Sequence, residues 1–285
     1  MGRTLDCPVR VNRTVRKQYP ALSDDIGDLR TQRPLPNAEL DQIDPFLFLN
    51  HHGPQVYPPG NHGLPFGPHP HRGFETVTFI LEGSLVHRDT GGHESVIHAG
   101  GVQWMTAGRG LVHAELSPDE FKRHGGPLEI LQLWVNLPAR LKFVEPRYTG
   151  LQRDGIPAIA RDGVTVNLIS GTFDGQAGPV ESLTGVNMMT LEMTAGSRIT
   201  LAVPPGRNIF CYVVRGDLNV GAPMHLVDFN DDGDVVELEA RTSAVVLFGH
   251  AEPYREPVVA HGPFVMNTRA EIVQAFRDYQ AGLFG

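Results

Sequence analysis

From Thr76 to Glu115 the chain is a succession of short β-forming runs cut by glycine turns. Thr76-Val77-Thr78-Phe79-Ile80-Leu81 is apolar and β-branched, and Glu82-Gly83-Ser84 turns it into Leu85-Val86-His87. Asp89-Thr90-Gly91-Gly92, Ser95-Val96-Ile97-His98, Ala99-Gly100-Gly101, Val102-Gln103-Trp104-Met105-Thr106 and Leu111-Val112-His113-Ala114-Glu115 continue turn by strand. Strands recurring roughly every eight to twelve residues restrict the fold to an all-β sandwich or barrel. Glu129 to Val135 is a further strand, ended by Asn136-Leu137-Pro138, where the domain junction is placed. Upstream, Val9 to Gln18 alternates as a strand would, and Asp44-Pro45-Phe46-Leu47-Phe48-Leu49 reads as a buried strand behind a turn. His51-His52-Gly53 reads as a polar loop, because adjacent histidines on a strand point in opposite directions.

The second half repeats the plan. Val186 to Met193 and Ser197 to Leu201 read as strands. Phe210 to Leu218, broken at Gly216, echoes Thr78 to Leu85 with its Gly83, and Ala244 to Gly249 echoes Trp104 to Gly108. Two copies of one β-domain are expected, 1–138 and 139–285, which suits a chain of 285 residues. The one predicted helix is terminal. Thr268 and Glu271 form a capping box, Ile272, Ala275, Phe276 and Tyr279 a buried stripe, and Gly282 the stop.

Chemistry concentrates at both ends of 63–115. His69 and His71, then His113 and Glu115, are each spaced i, i+2, which puts both side chains of a pair on one face of a strand. Three neutral imidazoles and a carboxylate suit one divalent transition metal, with two positions left for water, oxygen or substrate; iron, manganese, cobalt, nickel, copper and zinc all accept such donors. A thiolate zinc site is excluded, because Cys7 and Cys211 lie far from this stretch and Cys211 sits in the apolar run Ile209 to Val214. Both cysteines are expected to be reduced thiols of a cytoplasmic protein. A net charge of −8 argues against direct nucleic-acid binding. Arg10, Arg13, Arg16 and Lys17 are the one basic cluster and read as a solvated terminus. No secretory signal and no membrane span are expected, since Met1 to Pro20 has no apolar stretch and no run elsewhere is long enough.

The residues now quoted carry a family resemblance. Gly63 followed by His69-x-His71, and the later Gly108 to His113, are similar to the two motifs of cupins. Pro68-His69-Pro70-His71-Arg72-Gly73-Phe74-Glu75-Thr76-Val77 with Gln103-Trp104-Met105-Thr106-Ala107-Gly108-Arg109-Gly110 resembles pirins specifically. Asp44-Pro45-Phe46, Leu133 to Pro138 and the terminal Glu271 to Tyr279 extend the likeness over nearly the whole chain. The resemblance implies a bicupin, two tandem double-stranded β-helix domains of jelly-roll type, with one metal, usually Fe(II), in the N-terminal domain. It implies His69, His71, His113 and Glu115 as ligands. It also implies quercetin 2,3-dioxygenase activity on a flavonol with O2, or, alternatively, a non-enzymatic iron-binding, redox-sensing regulator acting through a protein partner. Many cupins carry a glutamate seven residues before the glycine closing the first motif. Counting back from Gly83 reaches Thr76, so Glu75 is one residue out, faces the other way and is read as structural.

With Gly83 and Gly216 as anchors, Ala202 and Pro204 replace His69 and His71 in the second half; with Gly108 and Gly249, Tyr254 and Glu256 replace His113 and Glu115. The second domain is thus expected to hold no metal, with His225, His250 and His261 structural or on the surface. For the enzyme, Glu115 is the expected general base, and Phe66 and Trp104, with Phe74 and Met105 nearby, are the expected cover for a flat aromatic substrate. A monomer is expected.

Overall fold

The computed structural model describes residues 10–285; Cys7 and the first residues of the basic terminus lie outside the described residues. Two seven-stranded sheets dominate. The first runs in the spatial order Arg147–Leu151, Val102–Thr106, Phe74–Glu82, Gly126–Asn136, Phe46–Tyr57, Thr31–Leu35 and Leu22–Ser23. The second runs Val15–Pro20, His225–Phe229, Asn208–Arg215, Ala244–Ala251, Asn187–Met193, Val164–Ser170 and Ala158–Arg161. The first half adds a four-stranded sheet, Phe66–His71, Leu111–Leu116, Ser84–Asp89 and Glu94–His98; the second adds the pair Arg198–Ala202 and Val235–Glu239.

Side-chain alternation sorts each large sheet into two faces. On strands Phe74–Glu82 and Gly126–Asn136, Val77, Phe79, Leu131, Leu133 and Val135 enter one core together with Phe210, Tyr212, Val214 and Leu247 of the other half. The outer faces of the two sheets therefore pack against each other. The even-numbered side chains of those two strands, among them Ile80, Leu128 and Ile130, line the interior of the first half with Leu85 and Ile97 of the smaller sheet. Inside the second half, Ile199, Leu201, Val236, Leu238, Cys211, Val213, Val246 and Phe248 fill the equivalent space. The Cys211 thiol is fully buried there, and burial pushes its pKa up to about 12.

The halves exchange edges. Strand Val15–Pro20 adds to the second sheet beside His225–Phe229, and strand Arg147–Leu151 adds to the first beside Val102–Thr106. The strands of residues 22–136 otherwise lie in the first half's sheets and those of residues 158–251 in the second's, and each exchanged segment completes the other half. The exchange corrects the reading of the basic terminus at Arg13 alone, since Arg10, Arg16 and Lys17 are exposed. Arg13 is 3% exposed, and its guanidinium donates to the carbonyls of Gly233, Arg207 and Pro204 and pairs with Asp231 at 2.8 Å. An arginine buried with four acceptors is a fastening for the exchanged strand.

The same sheet order corrects the repeat alignment. Strand Ala244–Ala251 occupies the place of Gly126–Asn136, and the partner of Arg198–Ala202 is Val235–Glu239. The counterparts of His113 and Glu115 thus lie within Val235–Glu239 rather than at Tyr254 and Glu256. The Gly83–Gly216 anchor stands, with φ of +84° and +82° at matching turns.

Two other expectations change. His51 and His52 lie inside the strand Phe46–Tyr57, paired on both sides, and not in a loop. They do point apart. His51 reaches Glu129 and Tyr212 in the core between the halves, and His52 Nδ1 reaches Thr31 Oγ1 at 2.9 Å. A short helix, Asp119–His124, joins the terminal helix Arg269–Gln280, whose capping box of Thr268 and Glu271 is formed. Among the described residues no helix is long and apolar enough to cross a membrane.

Arg13→Ala leaves three carbonyls and a carboxylate without their donor. It should lower stability by about 3 kcal/mol in urea unfolding; a loss below about 0.5 kcal/mol would show the fastening to be dispensable.

Candidate metal centre

Strand register builds the site. On the inner face of the smaller sheet, His69, His113 and Asp89 lie opposite one another across three strands, and Phe66, Glu115 and His87 form the next row. Opposed side chains on one face sit within contact distance. His69, His71 and His113 each offer a nitrogen within 4.8 Å of the others, and their ring centroids are 4.4, 4.8 and 4.9 Å apart. It is the only such cluster among the described residues.

The hydrogen bonds prepare these rings for a cation. His69 Nδ1 donates to Gly67 O at 2.7 Å and His71 Nδ1 to Pro263 O at 3.4 Å, so each keeps its lone pair on Nε2. Both nitrogens of His113 are buried with no partner, an arrangement that costs free energy unless something binds there. Burial, followed by the neighbouring histidines, lowers the pKa of His71 to about 3 and that of His113 well below its usual value. His71 and His113 are therefore neutral donors near pH 7. His71 and His113 are buried and His69 is half-buried, which leaves the cluster accessible from one side. Converging neutral imidazoles with orphaned nitrogens fit a divalent transition metal.

Glu115 is brought to the same interior but not into the 4.8 Å cluster. It is 2% exposed, with Oε1 accepting from Thr78 Oγ1 at 3.0 Å and Oε2 from Gln132 Nε2 at 2.5 Å. A carboxylate has lone pairs beyond these two bonds. Phe66 lies opposite Glu115, half-buried, with its ring 5.3 Å from that of His52. Trp104 is elsewhere: it is 3% exposed in the core between the halves, on the opposite face of its strand from Gln103 and Met105. Phe74 touches the cluster, its ring 5.0 Å from His71. Glu75 faces away, as the register count required. Its Oε1 accepts from Thr106 at 2.6 Å, and burial raises its pKa to about 7.

Several interior polar residues escaped the sequence reading. His87 and Asp89 form a pair at 2.8 Å, the His87 ring stacks on Tyr148 at 4.1 Å, and it lies 5.4 Å from His113. The i, i+2 spacing of His87 and Asp89 is the same signal that revealed the other pairs. Thr78 and Gln132 had no such signal, since each is a lone polar residue in an apolar strand. A cleft of about 580 Å³ lies between the halves, with Asn167, Arg153 and Arg215 among its lining and no histidine. It is separate from the cluster.

Residues 28–135 match the Pirin family and residues 188–285 the Pirin C-terminal cupin domain. A pirin-like protein of Caulobacter vibrioides is 42% identical over 285 residues, covering 97% of this chain and all of the relative. The crystal structure of a quercetin 2,3-dioxygenase from Acinetobacter baumannii superposes with a TM-score of 0.90 at 32% identity, covering 96% of this chain and 99% of that one. A bacterial pirin from Escherichia coli in complex with nickel(II) shares the fold, with a TM-score of 0.65 at 22% identity, over 83% of this chain and 99% of its own.

His69→Ala or His113→Ala should remove most bound metal on elemental analysis, and full retention in either variant would refute the cluster as the centre. A second outcome concerns His52, whose pKa burial, then His51 and Arg33, lower to about 3. Between pH 6.5 and 4 the unfolded chain takes up this proton and the folded one does not, so stability falls as pH falls. His52→Gln should reduce that slope in denaturation curves by up to about 1.4 kcal/mol per pH unit; an unchanged slope would contradict it.

Proposed function

This chain belongs to the pirin family of bicupins, and on that premise we propose that it is a metal-dependent dioxygenase able to cleave the flavonol quercetin with O2. The observation that carries the reading is the set of three converging imidazoles, open on the His69 side, with a fixed carboxylate beside them. His69, His71 and His113 would hold the metal, with Glu115 as the fourth ligand and Fe(II) as the metal; nickel, cobalt, manganese, copper and zinc suit the same donors. The solved relatives named for quercetin 2,3-dioxygenase activity and for nickel(II) support a substrate and a metal of these classes.

A bound divalent metal supplies Lewis acidity and a template that orients the substrate's hydroxyl and keto oxygens. The chain supplies the rest. The Glu115 carboxylate accepts the proton of the flavonol 3-hydroxyl. Thr78 and Gln132, each bonded to one of its oxygens, hold that carboxylate at one angle. Phe66, directly opposite Glu115, is placed to cover the flat ring system, whereas Trp104 lies in the wrong core to do so. Phe74 and the buried sides of His71 and His113 keep water from the rear of the site.

Anaerobic loading with Fe(II), followed by measurement of oxygen uptake with and without quercetin, tests the reading. Uptake should require both. Metal binding with no uptake across several metals would replace the enzyme by an iron-binding regulator that works through a protein partner, which uses the same ligands. Glu115→Gln should lower turnover by about 100-fold or more while leaving most of the metal in place; equal loss of both would reduce Glu115 to a ligand.

A further inference from the structure

The last residues of the chain leave the second half and close over the first. Hairpin strands Val259–His261 and Phe264–Met266 and helix Arg269–Gln280 bring Phe264, Met266, Ile272, Ala275 and Phe284 into one cluster against Val112, and Val265 into another with Leu47 and Phe74. Val112 adjoins His113, and Phe74 touches His71. The segment is thus applied to the strand of His113 and to His71 at the end of the other histidine-bearing strand.

The polar contacts centre on the residues just after His71. The Pro263 carbonyl receives His71 Nδ1 and the backbone N–H of Arg72, each at 3.4 Å, and Val265 N–H donates to Arg72 O at 3.0 Å. Gly73 follows, with φ +86°, and a Cβ there would lie 2.0 Å from Val265 O. Only glycine lets the hairpin approach so closely. Lys142, 1% exposed, donates to Gly73 O, Val265 O and Asn136 Oδ1 at 2.8–2.9 Å, joining the hairpin to the sheet. The Arg72 guanidinium bonds Asp278 at 2.6 Å and Arg109 O at 2.5 Å, and lies 4.5 Å from the Phe284 ring centroid.

We propose that residues 259–285 are the outer shell of the metal centre. The Pro263 carbonyl holds His71 with its Nε2 toward the metal, and the grip of Asp278 and Phe284 on Arg72 keeps that carbonyl in place. Such outer partners orient a ligand before the metal arrives and are worth about 10- to 100-fold in affinity. Coupling of this kind is reciprocal: a bound metal tightens the segment by the factor with which the docked segment tightens the metal. Pro263, Asp278 and Phe284 are then positioning residues acting through His71 and Arg72, and loading of the centre is reported at the end of the chain. The inference rests on the three histidines being the metal site.

Two measurements on the full chain test it, with Fe(II) or nickel(II) as the probe: metal affinity by chelator competition and amide hydrogen exchange over residues 264–284. In the unaltered protein, metal should slow exchange across that segment. Asp278→Asn and Phe284→Ala should each speed its exchange and weaken metal binding by about 10-fold. Val236→Ala, in the core of the second half, should lower stability and leave affinity unchanged, which separates coupling from general loosening. The proposal is overturned if the two variants free the segment while affinity stays within about two-fold, or if metal leaves the segment's exchange unaltered. Failure of the unaltered protein to bind metal above the His113→Ala level would instead overturn the centre itself, and the coupling with it.

Discussion

The structure depends on the two-residue period of the strands that form the first large sheet. On Phe74–Glu82 and Gly126–Asn136, odd positions enter the core shared with the second half, while Thr78 and Gln132, at even positions, hold Glu115 inside. A slip of one residue would place Val77 and Leu133 in the polar interior and Gln132 in the apolar core. The apolar packing between the halves prevents that slip. Each fully buried Phe, Leu or Val there contributes roughly 1.5–3 kcal/mol, and Phe79, Leu131, Leu133, Val135, Phe210 and Tyr212 are all at most 1% exposed. The side chains that shape the site are thus held in register by a core on the other face of their own strands.

That arrangement explains what could be read from the sequence. Strands carry their period in their composition, so the strands from Thr76 to Val135 lie where the β-branched runs and glycine turns place them, as do those near 186–193, 197–201, 210–215 and 244–249. Arg147–Leu151, Val164–Ser170, His225–Phe229 and Val235–Glu239 carry no such marked run and go unread. Histidines spaced i, i+2 carry theirs as well, and His69, His71 and His113 converge. Glu75 was legible by parity alone. Partners distant in sequence leave no local trace. Arg13 reads as one of several terminal charges, because its acceptors at Pro204, Arg207 and Gly233 are nearly two hundred residues or more away. His51 and His52 read as a loop because both faces of their strand are covered, so the alternation of polar and apolar that marks a half-exposed strand is missing. The repeat was visible at Gly83 and Gly216, where both turns need a positive φ, and misleading at Gly249, which lies within the strand Ala244–Ala251. A glycine marks a homologous turn only where the backbone requires one.

The two interiors show what the site costs the fold. In the second half, Ile199, Leu201, Val236 and Leu238 occupy the strand pair that corresponds to the histidine-bearing strands, and they bury cleanly. In the first half that volume holds three imidazoles, a carboxylate and the orphaned nitrogens of His113, His52 and Gln103. Each unpartnered buried group costs about 1–3 kcal/mol, and the apolar material that would offset it is displaced. The exchanged edges and the applied carboxy-terminal segment make physical sense against this deficit, since they fasten the polar half to material whose stability comes from elsewhere. The second half carries no cluster of metal-binding side chains among the described residues.

The same deficit bears on how the centre discriminates among its possible roles. A metal used only as a structural tie is normally closed off by protein on every side. Here the ring that faces outward, His69, is also the one held by its own strand through Gly67, whereas His71 is held from outside by Pro263. The accessible edge is therefore the rigid one, and the adjustable ligand is at the back, under the carboxy-terminal segment. On the proposed reading, substrate would exchange at the His69 side without displacing that segment, and a shift of that segment would act on His71 from behind. An enzyme and a redox-responsive regulator would use these two sides differently: catalysis draws on the open edge beside Phe66 and Glu115, and signalling on the link from His71 through Arg72 to Asp278. The two proposed paths would meet at the histidine cluster and share none of its outer supports, since Phe66 and Glu115 flank one side and Arg72 and Asp278 the other.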